Sequence, residues 1–404
     1  MSGHRLAMLS LHTSPLAQPG EGDSGGMNVY VRELAGAVAR RGVDVEVYVR
    51  RTSPEVAEVV DVEPGLRVVQ IEAGEPDLAK EELPAILECF ADEVERRAGS
   101  FDPTAVHGNY WLSGVVAHDL KHRLDVPLLV TFHTLGAVKR AMGDDEPRSR
   151  IEAERRTIGC ADVVLANGIP ERDQLVDLYG ADRDRVEIVT PGVDRAVFSP
   201  GSRAGARRAL SIGDGPRALF VGRIQPLKGL DVAVRALARS EHTNLRLSVV
   251  GGPSGSDGQR TLVEVRALAT ELGVLDRIDW HPPQPHHLLS TWYRAADVVV
   301  MPSRSESFGL VALEAAACGT PVVATAVGGL RTLVRHGETG FLVEGRDPDG
   351  FAHGVDRIIG DTTLAVDLAA ATQVVADEHT WSRGADRFVG LLAEVADRAL
   401  VPCS

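Results

Sequence analysis

The chain has 404 residues, 44% of them hydrophobic and 25% charged, with a formal net charge of −14 at pH 7. That length exceeds one ordinary core and favours two domains of about 200 residues, while the composition excludes disordered and collagenous chains. The acidic balance argues against nucleic-acid or anionic-membrane partners, so an anionic ligand must be held by a few local cations or helix ends.

Taken in order, "RLAMLSLH" is a buried strand, followed by a glycine-rich loop and the helical "GMNVYVRELAGAVARRG", then by the strand "DVEVYVRR". The same rhythm returns in "AVHGNY", "WLSGVVAHDLKHRL" and "PLLVTFHT". Strand, helix, strand in this sequence predicts a parallel sheet with crossover helices. The Pro- and Gly-rich stretch at 191–210 interrupts the rhythm, which restarts at "RALFVGRIQP" and continues through "LRLSVVGGP", "IDWHPP", "DVVVMPS", "PVVATAV" and "GFLV". The predicted class is α/β, with two doubly wound parallel-sheet, Rossmann-like domains facing a cleft. The expected boundaries are 1–195 for the first domain and 196–378 for the second. Residues 379–404 form an amphipathic helix, apolar at Phe388, Leu391, Leu392 and Val395, that reaches back onto the N-terminal domain.

In doubly wound sheets ligands bind beyond the carboxyl ends of the strands, so the loops there carry the candidates. After the first strand, Gly20, Gly22, Gly25 and Gly26 precede a helix that begins near Asn28. Glycines before a helix let backbone N–H groups approach a phosphate, although a plain turn is the commoner meaning of such a loop. In "FVGRIQPLKGL", Arg223 and Lys228 follow a strand five residues apart, a spacing that suits a diphosphate clamp; two solvated cations are the bland alternative. In "SRSESFGLVALEAAACG", Glu306 lies in the loop and Glu314 inside the following helix, as acceptors for sugar hydroxyls or as ordinary helix acids. "AVHGNYWLSG" offers His107, Asn109, Tyr110 and Ser113, and "LVTFHTLGAVKR" offers His133, Thr134, Lys139 and Arg140. Each histidine alone reads first as structural.

Cys89, Cys160, Cys318 and Cys403 are scattered without a C-x-x-C pair, which predicts neither a disulfide framework nor a zinc site and fits a reducing cytoplasm. No metal centre, nucleophile elbow or membrane span is expected. The N-terminal residues lack the long apolar region of a secretory leader.

Nearly end to end, the chain resembles the retaining glycosyltransferases of family 4 with the GT-B fold, in "ESFGLVALEAAACGTPVV" as the nucleotide-sugar motif and "GRIQPLK" as the diphosphate clamp. More narrowly, "SLHTSPLAQPGEGDSGGMNVYV", "YWLSG", "HTLGAVK" and "VVGGPSGSDG" resemble the actinobacterial branch that transfers N-acetylglucosamine from UDP-GlcNAc to an inositol phosphate in mycothiol biosynthesis. The resemblance implies that Arg223 and Lys228 bind the donor diphosphate and Glu314 the ribose hydroxyls. It gives Glu306 to the sugar hydroxyls, beside the amides of Phe308, Gly309 and Leu310, and brings Gly25 and Gly26 to the phosphates. His133 would contact the donor sugar. For the acceptor it implies Lys80, Tyr110, Thr134 and Arg150 at the phosphate and Asn28 at the inositol hydroxyls. One departure is "HGNYW", with Asn109 where that branch reads histidine; another is the weakly matched region from Arg140 to Arg156.

A hexosyltransferase of this kind needs no protein nucleophile, metal or resident cofactor. Its cosubstrate would be a UDP-sugar, with a GDP-sugar the alternative, and its partner a small-molecule acceptor; a homodimer is one option. The competing readings are a natural-product paralogue with another sugar and a hydroxyl or thiol acceptor such as ergothioneine, a nucleotide-sugar epimerase, and a non-catalytic nucleotide-sugar sensor.

Overall fold

The computed structural model describes residues 3–20, 22, 24–255 and 257–403. The chain forms two compact units: Met1–Ala17, Met27–Thr190 and Trp381–Ser404 make the first, and Gln18–Gly26 and Pro191–Thr380 the second. The N-terminal segment is therefore not one continuous piece of the first domain, as the linear boundaries expected. Within the second unit the Gln18 amide donates to the Pro283 carbonyl at 3.4 Å, and a Cβ on Gly20 would stand 3.2 Å from Pro283 Cβ. Such contacts span more than 260 positions, which no local pattern announces.

The first unit holds β1 (Arg5–Leu9), β2 (Asp44–Arg50), β3 (Val59–Glu63), β4 (Leu66–Ile71), β5 (Ala105–Asn109), β6 (Leu128–Thr131), β7 (Val163–Ala166) and β8 (Val186–Ile188). They lie in the order β3-β4-β2-β1-β5-β6-β7-β8. All neighbours are parallel except β3 and β4, which pair antiparallel. The expected parallel-sheet class holds, with one antiparallel strand added at its edge. Only Pro64 and Gly65 separate the two strands, and a two-residue connection permits a hairpin but no crossover. The second unit is parallel throughout: β9 (Arg217–Val221), β10 (Arg246–Val250), β11 (Ile278–His281), β12 (Val298–Met301), β13 (Val322–Thr325) and β14 (Gly340–Val343), in the order β11-β10-β9-β12-β13-β14.

The central strands are continuous apolar runs because helices cover both faces, leaving no solvent side to alternate toward. The helix Leu230–Arg239, for example, buries Leu230, Val232, Ala233, Val234, Ala236 and Leu237. The helix Trp381–Ala396 belongs to the first unit and buries Trp381, Phe388, Leu391, Leu392 and Val395. Its Phe388 ring lies 5.2 Å from His107, and Asp386 pairs with Arg41 at 2.6 Å. In each sheet the winding reverses beside the first strand, between β1 and β5 and between β9 and β12. The loops following these four strands flank the switch points where such folds bind ligands.

Cys160 and Cys403 are joined as a disulfide across 243 positions, contrary to the expectation of no such bond. The pairing is invisible in the spacing because the returning C-terminal tail creates it. Among the described residues no single helix is long and apolar enough to cross a membrane.

Candidate active site

In the second unit the loops after β9 and β12 interlock through glycine. Gly229, at φ 73°, ends the turn Pro226–Lys228, and a Cβ there would stand 2.2 Å from the Pro302 carbonyl oxygen. The Arg304 amide donates to the Leu227 carbonyl at 2.9 Å, tying one loop to the other. This close approach brings Lys228 Nζ to 2.7 Å from Glu306 Oε2, both side chains partly buried, so a cation and an acid 78 positions apart form one pair. In the same unit, a Cβ on Gly25 would lie 3.4 Å from Arg223 Nε, and one on Gly26 3.6 Å from Leu310 Cδ1. Gly25 is thus a neighbour of Arg223, and Gly26 of Leu310, despite their distance in sequence.

The loop holding Glu306 is fixed from behind. The Glu306 carbonyl accepts a hydrogen bond from the Gly329 amide at 3.0 Å, and a Cβ on Gly328 would come within 1.9 Å of that oxygen. Phe308 is buried, and Gly309, at φ 105°, precedes the helix Leu310–Ala317, whose first amides have no partner within the helix and face outward at its start. Glu314 lies inside this helix, 4% exposed, with Oε1 2.6 Å from His286 Nε2 and Oε2 accepting from the Tyr293 hydroxyl at 2.8 Å. Burial and the adjacent carboxylate raise the Tyr293 phenol well above its usual range, so it stays a donor. Sequence reasoning missed both partners: His286 lies in the "WHPPQPHH" stretch without a motif of its own, and nothing local marks Tyr293. Each Glu314 oxygen keeps a second lone pair for a further donor.

The first unit gathers a different set. Tyr110, at φ 74° and 7% exposed, opens the helix Tyr110–Leu124 directly after β5. Lys80 Nζ and the Arg150 guanidinium each lie 5.1 Å from its ring centroid, and His12 packs on it at 4.4 Å. Arg150 also donates to the Thr134 carbonyl at 2.9 Å and to its hydroxyl at 3.1 Å. Lys80, Tyr110, Thr134 and Arg150 therefore converge. Arg150 is also committed to acids, with Nε on Glu154 and one terminal nitrogen on Glu146, both at 2.9 Å. Glu154 is fully buried and is itself held by the Gly136 amide and the Tyr179 hydroxyl. Lys80 has no ion pair among the described residues.

Asn28 is buried, and its amide donates to the Thr13 hydroxyl at 2.7 Å and the Ser14 carbonyl at 2.6 Å, so its nitrogen staples the loop after β1. His133, at φ 61°, puts Nε2 3.0 Å from Asn109 Oδ1, with Tyr30 edge-on at 4.7 Å. Burial pushes its imidazole down to about 3, so near neutrality the ring is uncharged and Nε2 donates to Asn109. The departure at Asn109 is thereby used in place, as the acceptor that fixes this tautomer. The predicted residues thus fall into two sets, each assembled within its own unit.

Two Rossmann-like units, one presenting a cation–carboxylate pair at its switch point and the other a cationic aromatic cluster, define a GT-B glycosyltransferase architecture. A profile for "Glycosyl transferases group 1" matches residues 203–374, and one for a "Glycosyl transferase 4-like domain" matches residues 25–192. The chain is 46% identical over 415 residues to the D-inositol 3-phosphate glycosyltransferase of Xylanimonas cellulosilytica, covering 98% of each, and 47% identical over 400 residues to that of Nocardia farcinica, covering 95% of this chain and 88% of the relative. Among solved structures, sucrose-phosphate synthase from Thermosynechococcus elongatus superposes with a TM-score of 0.91 at 32% identity, covering 97% of this chain and 98% of its own. Anabaena HepE in complex with UDP-glucose shares the fold at a TM-score of 0.76 and 19% identity, covering 96% of this chain and 99% of its own. The chain belongs to the GT-B glycosyltransferases of the group 1, family 4-like type. It is a transferase, which displaces the epimerase and sensor readings.

Proposed function

We propose that the enzyme transfers N-acetylglucosamine from UDP-GlcNAc to an inositol phosphate, with retention of anomeric configuration and with no metal or cofactor taking part in the transfer. The observation that carries the acceptor class is the convergence of Lys80, Tyr110, Thr134 and Arg150, because two cations over one hydroxyl-bearing ring and a second hydroxyl form a phosphate-binding set. The names of the relatives at 46–47% identity support the same class. On the donor side, Arg223 and Lys228 neutralise the diphosphate as it departs, and Glu306 both orients Lys228 and accepts from the sugar hydroxyls. The amides of Phe308, Gly309 and Leu310 bind the same end of the donor, Gly25 and Gly26 admit its phosphates, and Glu314, steadied by His286 and Tyr293, takes the ribose. Attack from the leaving-group face lets the acceptor proton pass to the departing diphosphate oxygen, so no protein base is required. His133, uncharged, serves as a hydrogen-bonding group at the sugar and Asn28 as one for inositol. The setting is cytoplasmic, where nucleotide sugars are made.

A second reading, a paralogue acting on an unphosphorylated hydroxyl or a thiol, draws on one observation: Glu146 and Glu154 already engage the Arg150 guanidinium and dilute its charge. One experiment separates the two. The protein is incubated with a panel of UDP- and GDP-sugars, each with inositol phosphate, inositol or small thiols, and products are followed by mass and anomeric NMR. Turnover of UDP-GlcNAc with inositol phosphate to the retained anomer is expected. Turnover only with another pair, or an inverted product, overturns the proposal while leaving the family untouched.

A further inference from the structure

The C-terminal tail of the first unit ends on a side-chain cluster that sugar transfer does not use. The helix Tyr110–Leu124 carries His118 and His122 four positions apart and hence on one face, with their rings 5.2 Å from each other. Cys160 closes the neighbouring helix Arg148–Cys160, and Cys403 arrives from the tail. His118 Nε2 lies 3.2 Å, and His122 Nε2 3.0 Å, from Cys403 Sγ; the four ligand atoms all fall within 4.8 Å of one another.

The tail is positioned by polar contacts independent of the sulfur atoms. The Val401 amide donates to Asp162 Oδ1 at 2.7 Å. Lys121, 1% exposed, donates to the Cys160 carbonyl at 2.7 Å and the Val401 carbonyl at 2.9 Å, and pairs with Asp162 at 2.9 Å. Cys403 is thus delivered to the two histidines whatever the oxidation state of the cysteines. A disulfide sulfur is a weak acceptor and gives two imidazoles little reason to converge on it. Two thiolates and two imidazoles, by contrast, form the soft tetrahedral donor set that zinc selects. With two thiolates, two neutral imidazoles and one Zn²⁺ the centre has no net charge, so the adjacent buried Lys121–Asp162 pair remains balanced.

We infer that in the reduced chain His118, His122, Cys160 and Cys403 bind a structural zinc ion that clips the C-terminal tail to the first unit. A phosphine reductant with water supplies two electrons and two protons to the disulfide, giving two thiols and the phosphine oxide; Zn²⁺ then displaces one proton from each thiol. The inference departs from the expectation of no metal centre and stands or falls with the experiment below. The histidine half has H-x-x-x-H spacing, which the sequence reading overlooked when it expected no such pair, and its cysteine partners lie 243 positions apart.

The full-length protein, reduced with a phosphine, is loaded with zinc chloride, exchanged into metal-free buffer and assayed by mass spectrometry of metals; a parallel sample takes cobalt. One zinc per chain is expected, and the cobalt form shows the strong visible bands of tetrahedral coordination with thiolate-to-metal charge transfer. Cys403→Ser and His122→Ala, both at exposed positions that leave the core intact, bring zinc to background with unchanged circular dichroism, whereas Cys89→Ser retains it. A reduced wild type without zinc, an octahedral cobalt spectrum, or full zinc in Cys403→Ser overturns the inference. UDP binding by the same samples reports the donor site separately.

Discussion

Lys228 and Glu306 make one partly buried ion pair, and their separate contributions to transfer are measurable. Lys228→Ala is expected to lower kcat by about 10²–10³, the loss of roughly 2.7–4 kcal/mol typical of one preorganised charge stabiliser. If the two act as a unit, Glu306→Gln adds less in the Lys228→Ala background than alone, by about 0.5–3 kcal/mol in a double-mutant cycle; simple additivity contradicts the pairing. Lys80→Ala should raise KM for a phosphorylated acceptor at least ~10-fold, the tenfold step that corresponds to about 1.4 kcal/mol, and leave KM for the nucleotide sugar unchanged. Acid sensitivity follows from His107, fully buried beneath Phe388 and lowered from 6.5 to about 3 by burial, with His133 a lesser cause. Its folded-state value is depressed, so its stabilisation is complete above the unfolded value of 6.5 and is lost as the pH falls toward the folded one. Urea titrations should show stability declining by about 1.4 kcal/mol per pH unit from this group below pH 6, a slope absent from His107→Gln. Glu171, pushed up to about 7 by burial, has the opposite sign, losing stabilisation as the pH rises from 4.5 through that value.

At the level of elements, the proposed donor site depends on loops that glycine allows to touch. Gly229→Ala would drive a methyl group into the Pro302 carbonyl from a left-handed backbone, displacing the loop that carries Glu306. The expected cost exceeds ~1 kcal/mol of stability and is accompanied by weaker UDP binding, read by urea unfolding and calorimetry. Gly213→Ala, with nothing within 4 Å of its Cβ, serves as the control. Local sequence reveals the strands and the helices after them, because β-branched runs and amphipathic periods are short-range signals. It does not reveal that Gly328 backs Glu306 or that Tyr293 and His286 hold Glu314, since those contacts join separate crossover units. The antiparallel β3 was missed for a different reason: a half-exposed edge strand lacks the continuous apolar pattern of its neighbours.

At the level of the whole molecule, each unit has its own sheet and apolar core, and the residues proposed for the donor other than His133 all lie in the second. Phe388→Ala, in the C-terminal helix of the first unit, should destabilise that unit by about 3–5 kcal/mol yet leave the calorimetric UDP-binding signal in place; loss of both would show that the units do not fold separately. The sequence by itself determined the α/β class and the strand-to-helix loops that carry the candidate residues, Arg223 and Lys228 among them. These depend on periodicity and on neighbours a few positions apart. Only the tertiary structure decided which of those residues meet, that Gln18–Gly26 joins the second unit, and that Cys403 returns to Cys160, His118 and His122. Contacts between distant positions depend on the order in which the strands assemble and on where the last helix returns, and neither is encoded in any single stretch of chain.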